Sequence, residues 1–171
     1  TYENGILTRA ETRGDGQIGE DITENAKHIW GIPTKLALPI PLLEIRFEVY
    51  LPVERFLEIN KEKEVKNEKL FANPRNAAAG ILRTKDVEVV KTAGLHAFAF
   101  NVQRAAGLKD VEDYADRVLG AADIHEWTDL NPTTHSEYRK LLTLLGFTFV
   151  RSIPCTYEKV MDFVDQIGRC R

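Results

Sequence analysis

The chain has 171 residues, 43% hydrophobic and 29% charged, which suits one soluble globular domain with a sizeable core. Its formal net charge of −3 excludes a globally basic nucleic-acid binder, so any contact with DNA or RNA needs a local basic patch. Its two cysteines, Cys155 and Cys170, lack metal-ligand spacing, and no apolar run is long enough to span a membrane, so a cytoplasmic protein without a membrane partner is expected.

Asn4-Gly5 marks a two-residue hairpin turn, followed by an alternating strand over Ile6 to Arg13. Only Thr1-Tyr2-Glu3 precede the turn, so the natural protein is expected to begin upstream. Gly14-Asp15-Gly16-Gln17-Ile18-Gly19 reads as a loop whose glycines permit close backbone approach. It feeds a helix with Ile22, Ala26 and Ile29 at helical spacing, stopped by Gly31 and Pro33. A strand is predicted from Leu42 to Leu51. Leu43, Ile45, Phe47, Val49 and Leu51 share its core face, and Glu44, Arg46, Glu48 and Tyr50 the other. Pro52 opens a short helix with Val53, Phe56 and Leu57 as its apolar stripe. Lys61 to Lys69 reads as a solvated helix end or loop.

The segment Phe71-Ala72-Asn73-Pro74-Arg75-Asn76-Ala77-Ala78-Ala79-Gly80 carries the most information. Asn73 is placed to cap a helix that begins with Pro74, where a missing N–H costs nothing. Ala77, Ala78 and Ala79 allow another element to approach the backbone. Arg75 sits in the first turn, where the helix dipole disfavours a cation. An anionic ligand or a buried carboxylate would explain it, and an ordinary surface arginine fits equally well. After Asp86 and Gly94 a strand runs from Leu95 to Val102, with His96, Phe98, Phe100 and Val102 on one face. Ala105 to Asn131 holds a helical pattern around Val111, Tyr114 and Val118. Thr134-His135-Ser136-Glu137 is a capping box opening a helix through Leu141, Leu142 and Leu145, closed by Gly146. Phe147 to Val150 follows as a short strand, then a last helix from Thr156, ending abruptly at Gly168-Arg169-Cys170-Arg171. Antiparallel strands mixed with helices give an α+β class, and sheet edges left open at the two ends predict marginal stability.

Four features carry candidate chemistry. Arg13 ends a strand just before the glycine loop and Gly19-Glu20-Asp21, offering a fixed fork of donors to phosphate or ribose oxygens. Glu48 lies on the polar face of its strand. Arg75 and Arg83 flank the alanine helix. Phe100 is able to stack on a planar base, although such a phenylalanine is more often simply core.

Together these segments resemble the adenylation (nucleotidyltransferase) domain of bacterial NAD-dependent DNA ligases. The resemblance is carried by Tyr2-Glu3-Asn4-Gly5, by Thr12-Arg13-Gly14-Asp15-Gly16-Gln17-Ile18-Gly19-Glu20-Asp21-Ile22-Thr23, by Glu44-Ile45-Arg46-Phe47-Glu48-Val49 and by Phe71 to Arg83. It implies an α+β nucleotidyltransferase fold, ATP-grasp-like, with mixed, mainly antiparallel sheets and packed helices. Residues 1–171 would then be a partial adenylation domain, truncated at both ends. It further implies a monomeric parent enzyme of DNA replication and repair that seals nicked duplex DNA. A lysine takes AMP from NAD, the AMP passes to the 5′-phosphate of the nick, and the 3′-hydroxyl displaces it, with Mg²⁺ assisting. By the same resemblance Arg13 contacts the ribose region, Glu48 accepts from a ribose hydroxyl and Phe100 stacks on adenine. Arg75 and Arg83 then face phosphates, Arg83 those of DNA.

The family's nucleophilic lysine is expected upstream of Thr1, so no catalytic residue is assigned within the chain, which alone would not self-adenylate. No metal ligands are assigned either, and Zn²⁺ is expected only in parts of the parent outside this chain. Phe47 stands where the family usually has glycine, Ile81 where it has serine, and Phe100 where it has tyrosine. A non-catalytic nucleotide- or partner-binding relic of the same fold is the main alternative. An ATP-dependent ligase or capping-type enzyme is a second, disfavoured by the alanine helix.

Overall fold

A computed structural model describes residues 1–14, 19–107, 141–149, 159, 160 and 164. The first elements are β1 (Tyr2–Glu3), β2 (Ile6–Leu7), α1 (Thr23–Ala26) and β3 (Leu42–Tyr50). They are followed by α2 (Val53–Val65), α3 (Pro74–Leu82), α4 (Val87–Ala93) and β4 (His96–Ala106). The four strands form one antiparallel sheet in the order β2-β1-β3-β4. Parallel single-residue bridges join Trp30 to His96 and Phe149 to Ala99. The α+β class expected from the sequence is therefore the observed one.

Asn4 and Gly5 turn β1 into β2 with φ of 49° and 75°, the left-handed geometry that a tight hairpin needs. The strand expected from Ile6 to Arg13 is shorter than its alternation suggested. The amides of Thr8 and Arg9 both donate back to Thr1 O, so the chain leaves the sheet after Leu7. The helix expected around Ile22 to Ile29 also contracts, to α1, and the chain then turns into an extended segment that runs along β4. There Trp30 N donates to Leu95 O at 3.0 Å and Trp30 O accepts from Ala97 N at 2.7 Å.

One face of the sheet carries the core. One cluster joins Tyr2, Leu7, Leu38, Ile40 and Leu43 to Val102 and to Leu141, Leu142, Leu145 and Phe147. Residues 141–144 are helical and Gly146 has φ 83°, in line with the helix end expected there. A second cluster packs Ala77, Ala78 and Ile81 of α3 and Val90 and Ala93 of α4 against Leu95 and Ala97. Ala77 is fully buried, so the small side chains do bring α3 onto its neighbours. Asn73 Oδ1 accepts from Asn76 N at 2.8 Å, and Pro74 is the first helical residue, as the sequence indicated. In α2 the stripe differs from expectation: Val53 and Leu57 are exposed, while Phe56 and Ile59 pack on the second cluster. The solvated end of α2 runs to Val65. Val111, Tyr114 and Val118, the 134–137 capping box, and the two cysteines lie outside the described residues.

Tyr2 is fully buried and its Oη donates to Pro33 O at 2.8 Å. Burial holds its phenol well above the usual range, so it stays neutral and serves as a donor. Tyr2→Phe leaves the Pro33 carbonyl without this partner and is expected to cost about 1–2 kcal/mol in urea unfolding. An unchanged midpoint would show that the bond contributes nothing net.

Candidate functional site

Strand β3 builds the site from its alternation. Ile45, Phe47 and Val49 pack towards the core, while Arg46, Glu48 and Tyr50 are exposed. Phe47 touches both core clusters, with its ring centroid 5.7 Å from that of Phe147. Its bulk is therefore taken up on the core side of the sheet, as the strand pattern predicted.

Across from β3, the pairing with β4 is irregular. Phe47 pairs with Ala99 and Arg46 with Asn101, which leaves Phe100 without a partner; Gln103 is skipped in the same way. Such bulges twist a strand and re-aim its side chains. They also correct one expectation. His96, Phe98 and Phe100 keep to the open side, but Val102 is buried on the core side, because the extra residue at Phe100 shifts the alternation. Glu48 lies directly opposite Phe98, and Phe100, 41% exposed, follows at the bulge. A carboxylate beside an exposed aromatic ring is a combination suited to a nucleoside, the ring for the base and the carboxylate for ribose hydroxyls.

The open side extends along the sheet as a series of rings that the sequence reading missed. Trp30 lies 4.8 Å from His96, which lies 5.6 Å from Tyr50, which lies 5.8 Å from Phe98, all centroid to centroid. Trp30 had no local signal, because only the bridge to β4 brings it here.

The candidate arginines are carried by other segments than β3 and β4. Arg13 is exposed in the segment that Thr12 ties to Glu20: Thr12 N donates to Glu20 O and Glu20 N to Thr12 Oγ1, each at 3.0 Å. Arg83 caps the C-terminal end of α3 and forms an ion pair with Glu20, Nε to Oε2 3.1 Å. Arg75 is exposed in the first turn of α3 and makes no ion pair among the described residues. Asp21 Oδ1 accepts from Thr23 Oγ1 and Thr23 N, and these bonds hold its carboxyl below the usual range. The described residues thus bring Glu48, Phe98 and Phe100 to neighbouring positions of the sheet, pair Arg83 with Glu20, and tie Glu20 to Thr12, the residue before Arg13. Among the described residues no group of three or more His, Cys, Asp or Glu side chains is arranged to hold a metal ion, and no helix is long and apolar enough to cross a membrane.

Residues 1–126 match the family described as NAD-dependent DNA ligase adenylation domain. The chain is 48% identical over 166 residues to a DNA ligase of Carboxydothermus hydrogenoformans, covering 97% of this chain and 21% of the relative. A DNA ligase of Desulforamulus reducens is 46% identical over 167 residues, 96% of this chain and 22% of the relative. One from Acetivibrio thermocellus is 52% identical over 106 residues, 62% of this chain and 16% of the relative. The chain therefore spans about a fifth of the length of these curated relatives.

Proposed function

The chain belongs to the NAD-dependent DNA ligase adenylation-domain family, and from that membership we propose that it supplies part of the adenylate pocket of a nick-sealing ligase. The observation that carries this reading is the pairing of Glu48 with Phe98 beside the bulged, exposed Phe100 on the open side of the sheet. In this reading Phe100 stacks on adenine and Glu48 accepts from a ribose hydroxyl, while Arg13 reaches the ribose region from the 11–21 loop. Arg75 and Arg83 take phosphates, Arg83 those of duplex DNA. The nucleophilic lysine comes from outside this chain, consistent with the share of the relatives' length that the chain spans. Mg²⁺ supplies counter-charge to the phosphates when bound. Residues 1–171 in this reading are one partial adenylation domain, working in the cytoplasm as part of a monomeric ligase.

Every step of such a reaction is phosphoryl transfer, in which positioning and charge neutralisation do most of what the protein contributes. The pocket's role is to hold the nucleotide so that its α-phosphate meets the lysine in line. Phe47 does not favour a relic, since its ring fills core space rather than the open side. The test is nick sealing by a longer protein that contains residues 1–171. Ligation of a 5′-phosphorylated nick with NAD but not ATP supports the proposal. Ligation with ATP alone, or none by a folded protein that carries the lysine, removes it.

A further inference from the structure

Asn25 is the one buried polar or charged residue among those described, at 7% exposure, and both hydrogens of its amide are used. Nδ2 donates to Leu82 O at 2.9 Å and to Thr84 O at 2.8 Å, the carbonyls on either side of Arg83. Glu20, from the same segment as Asn25, meets the Arg83 side chain at Nε. The two Nη groups of Arg83 make no hydrogen bond or ion pair among the described residues.

The segment that does this is itself fixed. Glu20 is tied at its backbone to Thr12, Asp21 Oδ1 accepts from Thr23 N, and Thr23 Oγ1 accepts from Ala10 N at 2.9 Å. A bland role for Asn25 is to satisfy carbonyls at the end of α3, which any helix leaves unpaired. That role does not account for the carboxylate of the same segment that pairs with the arginine between those carbonyls, both side chains being more than half exposed. A guanidinium whose carboxylate partner lies on the Nε side keeps its Nη donors free, and these form paired bonds to phosphate.

We infer that Glu20 and Asn25 are positioning residues for Arg83: Asn25 fixes its backbone and Glu20 its Nε, so that the Nη edge is presented to a phosphate of duplex DNA. The inference rests on the reading of Arg83 as a DNA-phosphate contact and goes beyond it by naming what aims that contact. It also joins the loop bearing Arg13 to the phosphate-facing arginine through Thr12 and Glu20.

The test is binding of a longer protein that contains residues 1–171 to a fluorescent duplex with a 5′-phosphorylated nick, followed by anisotropy over a range of salt. Arg83→Ala is expected to weaken binding and to lower the slope of log K against log salt by about 1. Glu20→Ala is expected to weaken binding about two- to fivefold, despite removing a negative charge, and to add nothing in the Arg83→Ala background. Glu24→Ala makes the same change of net charge at a neighbouring exposed site paired to Lys27, and is expected to bind no more weakly than the unaltered chain. Asn25→Ser, if its thermal melt shows a folded protein, is expected to behave as Glu20→Ala does; if it does not fold, Glu20→Ala decides alone. Binding that Glu20→Ala leaves unchanged or tightens, or weakens equally without Arg83, overturns the inference while the phosphate reading stands. Unchanged affinity and slope in Arg83→Ala, or no resolvable binding by any variant, overturns the phosphate reading and the inference with it.

Discussion

Gly31→Ala is expected to cost at least about 3 kcal/mol and to leave little folded protein near physiological temperature, measured by urea unfolding. Gly31 has φ of 90°, and a Cβ there would lie 2.2 Å from Ala97 O. That oxygen belongs to the backbone of β4, so no side-chain rotation relieves the clash. Moving away would break the bonds that Trp30 makes to Leu95 and Ala97 and would pull Ile29 out of the second core cluster. Any stability change under about 1 kcal/mol would mean that the 29–31 segment does not lie against β4 as described.

Glu48→Ala and Phe100→Ala are expected to produce the largest functional losses. A ribose hydroxyl bonded to a carboxylate contributes about 1.5–3 kcal/mol, so Glu48→Ala is expected to weaken AMP binding roughly 10- to 150-fold. Base stacking on an aromatic ring contributes about 1–3 kcal/mol, which places Phe100→Ala at roughly 5- to 150-fold. Phe100→Tyr keeps the stacking face and is expected to stay within about twofold of the unaltered chain. Both residues are exposed, so the melting temperature is expected to be nearly unchanged in all three. Calorimetric titration with AMP checks this. An unchanged dissociation constant in both alanine variants would remove the open side of the sheet as the nucleotide site.

How far the sequence could be read depended on whether each signal was local. Strand β3 was legible because its apolar/polar alternation runs from Leu43 to Tyr50 with one face in the core. Helix α3 was legible because its cap, its first-turn proline and its alanines agree. Helix α4 was not read as a helix, although Asp86 caps it and Gly94 ends it in the left-handed conformation. Its Val87-Glu88-Val89-Val90 run favours strands locally, and burial of Val90 and Ala93 against α3 and β4 overrides that preference. The strand beyond Leu7 was over-extended, because alternation says nothing of where pairing stops.

The site divides in the same way. Glu48 followed from parity along β3, whereas the position of Val102 did not, since a bulge leaves no mark in a sequence until its partner strand is known. Trp30 and Asn25 escaped functional notice for a related reason, and Glu20 was noted only beside Arg13, without its tie to Arg83. Asn25 meets its partners 57 and 59 residues away, a distance over which no local pattern operates. The NAD-dependent ligase reading, by contrast, came from motif resemblance, and the match over residues 1–126 bears out the family.

The most direct test is covalent labelling of a longer protein that contains residues 1–171, incubated with adenine-labelled NAD and Mg²⁺ beside its Glu48→Ala variant. Label is expected on the protein from NAD, not from ATP, with a strong reduction in the variant. A folded protein that carries the lysine and takes no label, or takes it equally well without Glu48, would contradict the adenylate pocket described here.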